Sequence, residues 1–504
     1  MRRILRVITS RLLIIVPLFA LQLAAVFGLF YRISLLPQIM SVINMMSIVL
    51  LVYVLNRNDD PAYKIAWSIA ILSLPVIGVP LYLLAGNRKV PKKLFNGTIR
   101  ASKDMDGLLT PDTSILENEP EQIRNLFRYG EESLGLPAWK NSDSRYFASG
   151  EEWFPVFKEE LKKAEHFIFL EYFIIDKGTV LDEVLEILKE KARQGIGVKI
   201  IYDDFGSITM PWKFEKELRE AGIEAYRFNH VRPALIFTMN NRSHRKLTVI
   251  DNRVAFTGGV NLADEYVNRI SRFGYWKDSA IMIRGEAVWS FTVMFLGMLS
   301  FARGDLGVDY LKYRLPAGNY YDGGIYQPFS DTPTDEETVS MNMHMNMIRS
   351  ASEYLYIDTP YLILTESVRN SLILAAKDGV DVRILTPYIP DKKIVFQITR
   401  GNYMPLLKAG VRIYEYTPGF NHCKNFVSDD RVALVGSVNM DYRSYFLHFE
   451  NGVLLYKSPE VLKIRENFEE ALKQSHEISL EEMQKTRLPV RLIRAVLSIL
   501  IPLV

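Results

Sequence analysis

One block of sequence occurs twice in this chain, and this repeat constrains the fold more than any other feature. Five residue types recur at identical spacings in two copies that lie 178 positions apart: His244, Lys246, Asp251, Gly258 and Asn261, and then His422, Lys424, Asp429, Gly436 and Asn439. Flanking segments repeat as well, since ARQGIGVKIIYDDFG is matched by AKDGVDVRILTPYIP. A repeat of domain size predicts two similar lobes rather than a solenoid, whose repeats are about 20–50 residues long.

The repeated region has an α/β pattern. β-rich runs at 166–175, 198–202 and 246–250 alternate with helical stretches such as 180–194. Strands that alternate with helices indicate parallel sheet units joined by crossover connections. We therefore predict two tandem α/β lobes, at 131–315 and 316–482, that pack with pseudo-twofold symmetry.

The first 90 residues are much more apolar than the rest of the chain. Apolar runs occupy 12–31, 39–55 and 65–85, and the first has about the 20 residues needed to cross a bilayer. Its basic lead resembles a signal peptide, but it has no clear small-x-small cleavage site and more apolar sequence follows, so we expect it to be retained. We predict a membrane anchor of two to three hydrophobic helices at 1–90, then a linker at 91–130.

The orientation of this anchor depends on its third apolar run. With three spans and the N-terminus inside, the basic patch NRKVPKK lies outside, against the positive-inside tendency. The patch lies inside if the third run, with its prolines and glycines, only dips into the membrane. The sequence leaves both topologies open, and with them the membrane face on which the two lobes lie.

The C-terminal segment, 483–504, has a basic amphipathic pattern. Arg487, Arg491 and Arg494 lie on one helical face, and the ten apolar residues after Arg494 are too few to span a bilayer. A basic stripe over an apolar face predicts a helix that lies in the lipid interface. The alternative is a helix docked on the soluble domain.

The repeated block has the residue types of a phosphoryl-transfer site. In a strand, His-x-Lys places an imidazole and an ammonium group on one face. Two lobes packed face to face would bring two histidines, two lysines and two asparagines into one pocket. Ammonium and amide groups stabilise an anionic phosphoryl group, and two histidines can divide nucleophilic attack from proton transfer. We also expect the glycine to permit a tight turn near a ligand.

The charge and cysteine content argue against two other kinds of site. With 61 basic and 58 acidic residues, the chain lacks the broad basic field of a nucleic-acid binder. The one cysteine, Cys423, excludes a multi-cysteine metal site, and the lysine two residues after each motif histidine would repel a cation. We therefore predict no metal and no cofactor.

Each motif histidine has an acid downstream that could hold its second nitrogen. Asp278 follows His244 by 34 residues, and Glu450 follows His422 by 28. We predict that these two acids orient the histidines. We leave His448, close to Glu450, out of the site because the first lobe has no equivalent.

The paired motifs resemble the HKD motifs of the phospholipase D superfamily. The apolar N-terminus and the stretches FLEYFII, GGVNLADEY, DTPYLIL and SVNMDYRS extend the resemblance to the bacterial cardiolipin synthases over nearly the whole chain. The resemblance implies a multi-pass enzyme of the bacterial cell membrane. Such an enzyme converts two phosphatidylglycerols to cardiolipin and glycerol through a phosphatidyl-histidine. The oligomeric state is left open, a homo-oligomer included.

The resemblance also implies a role for each motif residue. His244 would be the nucleophile, and His422 would protonate the departing glycerol and then deprotonate the acceptor. Four residues would hold the phosphate: Lys246, Lys424, Asn261 and Asn439. Asp251 and Asp429 belong to the catalytic motif, with a structural or electrostatic role.

Three other functions are compatible with parts of the sequence. A membrane-bound phospholipase D would use the same site but let water complete the second step, which releases phosphatidic acid. A nuclease is disfavoured by the anchor and by the balanced charge. A non-catalytic membrane scaffold would be expected to have lost a motif residue, and both copies are complete.

Overall fold

The computed structural model describes residues 37–86, 95–97, 107–231, 240–304, 308–335 and 337–500, together with positions 24, 28 and 105. The apolar run predicted at 12–31 lies outside these residues except at two positions, and the patch NRKVPKK lies wholly outside them.

Two sheets form the centre of the described structure. The strands of the first lobe are β1 (Ser142–Phe147), β2 (Phe167–Tyr172), β3 (Gly197–Asp203), β4 (Glu224–Phe228), β5 (Arg242–Ser243), β6 (Lys246–Ile250), β7 (Val254–Gly258), β8 (Tyr275–Lys277) and β9 (Ala280–Gly285). Those of the second lobe are β10 (Ile325–Asp331), β11 (Tyr354–Asp358), β12 (Asp381–Pro387), β13 (Arg412–Tyr416), β14 (Gly419–Asn421), β15 (Asn425–Ser428), β16 (Val432–Gly436), β17 (His448–Tyr456) and β18 (Ser475–Ile478).

The two sheets have the same strand order. The first runs β1-β9-β7-β6-β2-β3-β4, and the second runs β10-β17-β16-β15-β11-β12-β13, with β18 added at its edge. Each strand of the first sheet therefore has a counterpart at the same place in the second. This correspondence confirms the prediction of two tandem α/β lobes.

The prediction of parallel sheets is correct for only three strands of each lobe. Strands β2, β3 and β4 are parallel, as are β11, β12 and β13. Apart from a short parallel pairing of β5 with β17, the other ladders of the two sheets are antiparallel. Each motif block forms a hairpin, β6–β7 or β15–β16. Asp251 and Asn252 make the first turn and Asp429 and Asp430 the second, all with φ of 53–56°. Each connection contains three residues, and two consecutive positive φ values are typical of a type I′ turn, which Asp and Asn tolerate.

Helices pack against both sheets and also form the N-terminal and C-terminal segments of the described structure. In chain order they are α1 (Pro37–Leu55), α2 (Pro61–Ser73), α3 (Pro75–Leu81), α4 (Glu121–Arg128), α5 (Gly150–Lys163), α6 (Thr179–Arg193), α7 (Phe214–Glu220), α8 (Val288–Arg303), α9 (Val339–Ser350), α10 (Glu366–Lys377), α11 (Lys393–Gly401), α12 (Tyr403–Lys408), α13 (Tyr442–Phe446), α14 (Glu460–Lys473), α15 (Leu480–Gln484) and α16 (Leu488–Leu500).

Helix α8 packs between the lobes. It lies against β2, β4, β6, β7 and β9 of the first sheet and against β10 of the second. Every residue from Val288 to Ser300 is buried. A helix enclosed on all sides is apolar all round, which explains a strongly apolar segment in the middle of the chain.

The N-terminal helices support a narrower membrane anchor than the sequence predicted. Among the described residues, α1 alone is long and apolar enough to cross a bilayer, and only 11% of its apolar window is buried. The third predicted run is broken, because α2 ends at Ser73 and Pro75 begins α3. Proline lacks the amide hydrogen and disfavours helical geometry in the residue before it.

Helix α16 docks on the second lobe with its apolar side exposed. It packs against α11 and α2, and the buried Arg494 donates from Nε to Oε1 of Gln397 at 3.0 Å. Arg487 and Arg491 are exposed, so the three arginines do not share one surface as predicted. Five large apolar residues of α16 are also exposed: Leu488, Leu492, Ile493, Val496 and Ile499.

Candidate active site

Each motif histidine is held by a carboxylate from the other lobe. Nδ1 of His244 lies 3.0 and 3.1 Å from the two carboxylate oxygens of Glu450, and Nδ1 of His422 lies 2.7 Å from Oδ2 of Asp278. A carboxylate only accepts hydrogen bonds, so the ring proton of each neutral imidazole is on Nδ1. Nε2 of each histidine keeps its lone pair for chemistry.

Backbone pairing between the lobes produces this exchange of acids. Strand β5 pairs with the start of β17, and β14 pairs with β8. The amide of His244 donates to the carbonyl of Phe449 at 2.9 Å, and the amide of His422 donates to that of Lys277 at 2.7 Å. Each histidine thus lies beside the residue that precedes the other lobe's acid. The sequence predicted both acids, but it did not predict that each acid holds the histidine of the other lobe.

The repeated glycines allow neighbouring strands to approach closely. A Cβ on Gly258 would lie 2.5 Å from the carbonyl oxygen of Ser279, and one on Gly436 would lie 2.4 Å from that of Asn451. The next residue differs between the lobes. A Cβ on Gly259 would lie 2.0 Å from Oδ1 of Asp278.

Ser437 takes the place of that second glycine in the other lobe. Its hydroxyl donates to Oε2 of Glu450 and accepts from the amide of Asn451. The first lobe therefore makes room for its acid, whereas the second lobe binds its acid with a hydroxyl group. Sequence reasoning missed Ser437, although it is the position where the GG of one motif becomes GS in the other.

The two motif lysines are buried beside the histidines. Nζ of Lys246 donates to the carbonyl of His244, and Nζ of Lys424 donates to that of His422. Burial lowers the pKa of Lys246 to about 7 and that of Lys424 to about 8. Both groups gain from an anionic ligand that offsets the cost of burying their charge.

Burial and neighbouring cations keep both histidines neutral in the empty site. Burial lowers the pKa of His244 well below its ordinary value, and Lys246, Lys424 and His422 lower it further. Burial and then Lys424 lower the pKa of His422 to about 4. Since charges from the second lobe act on His244, the two halves form one electrostatic unit.

The motif asparagines have unsatisfied amide atoms. Oδ1 of Asn261 accepts from the amide of Ile174 at 3.0 Å, and its buried Nδ2 has no partner among the described residues. Asn439 is also buried, and its Oδ1 has no partner in the same part of the chain. Rotation of the Asn439 side-chain amide by half a turn exchanges Oδ1 and Nδ2, so that Nδ2 then occupies the place without a partner. Buried polar atoms without partners are costly, which favours an anionic ligand here.

The motif aspartates bind backbone amides away from the histidines, which agrees with the structural role expected for these two members of the catalytic motif. The carboxylate of Asp251 accepts the amides of residues 165–167 at 2.6–2.8 Å, and that of Asp429 accepts the amides of residues 352–354 at 2.9–3.0 Å. Asp251 follows the end of β6 remote from His244, about 20 Å away along an extended strand. Each aspartate ties its hairpin turn to the start of the neighbouring strand.

Aromatic rings surround the two histidines differently. The rings of Tyr266, Trp276 and Phe420 lie 5.3–5.7 Å from that of His422. The ring of His244 lies 5.0 Å from that of Phe173 and 5.4 Å from that of His448. Sequence reasoning missed Trp276 and placed His448 outside the site.

His448, His244 and Glu450 could in principle hold a metal ion. Their ligand atoms lie within 4.8 Å of one another. The charges of Lys246 and Lys424 reach His244, however, and Nε of Arg443 lies 3.4 Å from Nε2 of His448. These cations would repel a divalent ion, so we assign no metal to this cluster.

The chain was compared with protein families and with individual proteins. Residues 157–272 and 345–472 match the family described as cardiolipin synthase, PLD-like domain, and each segment contains one motif. Residues 45–87 match the phospholipase D-nuclease N-terminal family. A cardiolipin synthase from Geobacillus sp. (strain WCH70) is 36% identical over 478 residues, which cover 92% of this chain and 93% of that protein. The chain belongs to the bacterial cardiolipin synthase family.

Two further comparisons extend this assignment. An uncharacterized protein of Streptococcus mutans is 40% identical over 460 residues, which cover 90% of this chain and 98% of that protein. The crystal structure of phosphatidylserine synthase from Haemophilus influenzae Rd KW20 matches 75% of this chain and 100% of its own, with a TM-score of 0.58 and 14% identity. At that identity it supports the two-lobed fold alone. Membership of the cardiolipin synthase family confirms the resemblance seen in the sequence.

Proposed function

We propose that this chain is a phosphatidyltransferase that makes cardiolipin from two phosphatidylglycerols and releases glycerol. One observation carries the proposal: two neutral imidazoles and two buried ammonium groups form one electrostatic unit, and Nδ1 rather than Nε2 of each imidazole faces its carboxylate. Family membership supports the lipid substrate. A phosphodiester supplies both the negative charge that the lysines lack and the phosphorus that a histidine attacks.

Binding of the first lipid prepares the histidines for different tasks. Lys246, Lys424 and the two motif asparagines surround the phosphodiester. Its negative charge offsets the repulsion from the lysines and raises the pKa of both imidazoles. His422 then takes up a proton on Nε2, with Asp278 stabilising the imidazolium, while His244 stays neutral as the nucleophile.

The first chemical step forms the covalent intermediate. Nε2 of His244 attacks phosphorus, and the bond between phosphorus and the glycerol oxygen breaks. Nε2 of His422 gives its proton to that oxygen, so neutral glycerol departs. Glu450 stabilises the positive charge on the phosphorylated ring of His244 through Nδ1.

The second step returns the enzyme to its starting state. His422, now neutral, takes the proton from a glycerol hydroxyl of the second phosphatidylglycerol. That oxygen attacks phosphorus, and the bond between phosphorus and Nε2 of His244 breaks. Cardiolipin is released with His422 protonated again, so the two steps balance and the reaction is reversible. The charge is handled by the lysines without a metal ion.

We also propose that the chain is a multi-pass protein of the bacterial cell membrane. Helix α1 exposes most of its apolar surface, as a lipid-embedded helix does. The exposed apolar side of α16 would enter the lipid interface beside the lobe. The run at 12–31 would supply a second crossing.

The function can be tested with purified protein in vesicles of phosphatidylglycerol alone. Cardiolipin and glycerol in equal amounts would support the proposal. Phosphatidic acid as the main product would instead identify a phospholipase D, and absence of turnover would identify a scaffold. His244→Asn serves as the matched control, since it removes the attacking nitrogen and keeps a side chain of polar character.

A further inference from the structure

Trp276 and His448 occupy equivalent places in the two halves of the site. Each lies two residues before its acid, Asp278 or Glu450. In the strand pairs between lobes, Trp276 is opposite Phe420 and His448 is opposite Arg242, and positions 242 and 420 are themselves 178 residues apart. His448 therefore does have a counterpart in the first lobe, which corrects our sequence-based interpretation.

Both rings direct a nitrogen at the acid that holds the opposite histidine. Nε1 of Trp276 donates to Oδ2 of Asp278 at 3.4 Å, and Nδ1 of His448 lies 3.7 Å from Oε1 of Glu450. Each ring also packs on the histidine that the acid holds, with centroid separations of 5.3 and 5.4 Å. The two sites therefore share an arrangement of ring, acid and histidine.

The tautomer of His448 follows from its other neighbour. Nε of Arg443 donates to Nε2 of His448 at 3.4 Å. A guanidinium group has no acceptor atom, so Nε2 carries the lone pair and Nδ1 carries the proton. His448 is 8% exposed, and burial lowers its pKa to about 3. The ring is therefore neutral, with its N–H facing Glu450.

We propose that His448 is a positioning residue for the nucleophile His244. Its buried Nδ1–H has no hydrogen-bond partner among the described residues and lies 3.7 Å from Oε1 of Glu450. A small shift of the ring makes it, beside the hydroxyl of Ser437, a donor that keeps this carboxylate where it accepts from Nδ1 of His244. Nε2 of His244 then faces the lipid phosphorus. This inference rests on the proposed function, in which His244 attacks.

The difference between the two acids gives a reason for the additional donors. Glutamate has one more rotatable bond than aspartate, so more conformational freedom is lost when its carboxylate is fixed. Asp278 is bound by His422, by Trp276 and by the amide of Ser279. The carboxylate of Glu450 accepts from His244 and Ser437. A further donor beside it is Nδ1–H of His448.

Two variants separate positioning from packing. His448→Asn keeps an N–H donor near the place of Nδ1, whereas His448→Phe keeps the ring and removes the donor. We expect His448→Phe to lower kcat about tenfold, the effect of losing one ordinary hydrogen bond, with KM unchanged. His448→Asn should stay within about twofold of the wild type. The rate is followed as consumption of labelled donor lipid, which does not depend on the acceptor.

A double-mutant cycle tests whether His448 acts through Glu450. His448→Phe should have no further effect on kcat in a Glu450→Gln background, because the group it positions is already lost. The matched control is Trp276→Phe, whose ring contacts the other acid. It should lower kcat by its full factor in a Glu450→Gln background and by no further factor in an Asp278→Asn background.

The outcomes are distinguishable. Wild-type kcat in His448→Phe, or full additivity with Glu450→Gln, would overturn the proposal. Equal losses in both His448 variants, with lowered unfolding temperatures, would show that the ring only packs and would also overturn it. If the wild type consumes donor lipid but makes phosphatidic acid, the proposed function fails while the cycle still reports on His448. A wild type that consumes no donor would overturn both.

Discussion

Nδ1 of His244 lies 3.0 Å from Oε1 of Glu450, although 206 positions of the chain separate the two residues. The reciprocal pair, His422 and Asp278, spans 144 positions in the opposite direction between the lobes. Neither lobe therefore contains a complete pair of histidine and acid. Each lobe contains one copy of the motif, and the site is complete only when both lobes are packed together.

Glu450→Gln is expected to lower kcat for cardiolipin formation by about 100-fold or more. A glutamine amide can donate as well as accept, so it permits the wrong tautomer of His244 and cannot stabilise an imidazolium. Initial rates at saturating phosphatidylglycerol measure the effect. The exposed Glu466→Gln is the matched control and should keep wild-type rates. Wild-type activity in Glu450→Gln would show that the carboxylate has no part in the reaction.

The activity should fall at alkaline pH because the two motif lysines lose their charge before the lipid binds. The pKa of Lys246 is lowered to about 7 and that of Lys424 to about 8, so both lose their charge as the pH rises through this range. Neutral lysines bind the phosphodiester poorly, and kcat/KM for the donor lipid should therefore decline above about pH 7–8. The bound anion raises both pKa values, so kcat should decline at higher pH. A kcat/KM that is constant up to pH 9 would contradict this account.

Gly259→Ala should displace the acid that holds His422. The added Cβ would lie 2.0 Å from Oδ1 of Asp278, so the carboxylate would have to move. We expect at least about a tenfold loss of kcat, as for a lost hydrogen bond to a charged group. Gly197→Ala is the control, because the atom nearest to its added Cβ would be the carbonyl oxygen of His166, at an ordinary contact distance of 3.7 Å. Equal activity of the two variants would show that the close approach of Gly259 to Asp278 does not matter for the reaction.

Asp429→Asn should reduce stability rather than chemistry. Burial alone would raise the pKa of Asp429, but hydrogen bonds from the amides of residues 352–354 outweigh it and hold the pKa below its ordinary value. A carboxyl with a depressed pKa stabilises the folded state above its unfolded pKa, about 4, and this stabilisation is lost as the pH falls through the folded value. The variant should therefore unfold at a lower temperature at pH 7, with a difference that shrinks towards pH 3.

Thermal unfolding followed between pH 3 and pH 7 checks this prediction, together with kcat of the folded fraction. A kcat that falls in Asp429→Asn while the unfolding temperature is unchanged would return the aspartate to the chemistry of the site.

Much of the site follows from local patterns in the sequence. Alternation along a strand predicted that His244 and Lys246 lie side by side. Nζ of Lys246 does reach the carbonyl of His244, although His244 lies between β5 and β6 rather than within a strand. The wider repeat predicted two lobes, and the sheets have the same strand order. These features depend on spacing within one lobe, which a sequence displays directly.

The remaining features depend on contacts between the lobes. Which acid reaches which histidine is decided by the pairing of β5 with β17 and of β8 with β14, and no local pattern encodes it. The match of Trp276 with His448 was hidden because their separation, 172 positions, differs from the 178 of the motifs. An indole and an imidazole also share little in sequence, although both offer a ring N–H to a carboxylate.

The position of the covalent intermediate tests the central claim most directly. Protein quenched during turnover of labelled phosphatidylglycerol should contain a phosphatidyl group on the peptide with His244, and His244→Asn should contain none. A label found on His422 instead, or one that persists in His244→Asn, would contradict the assignment of the nucleophile and the mechanism derived from it.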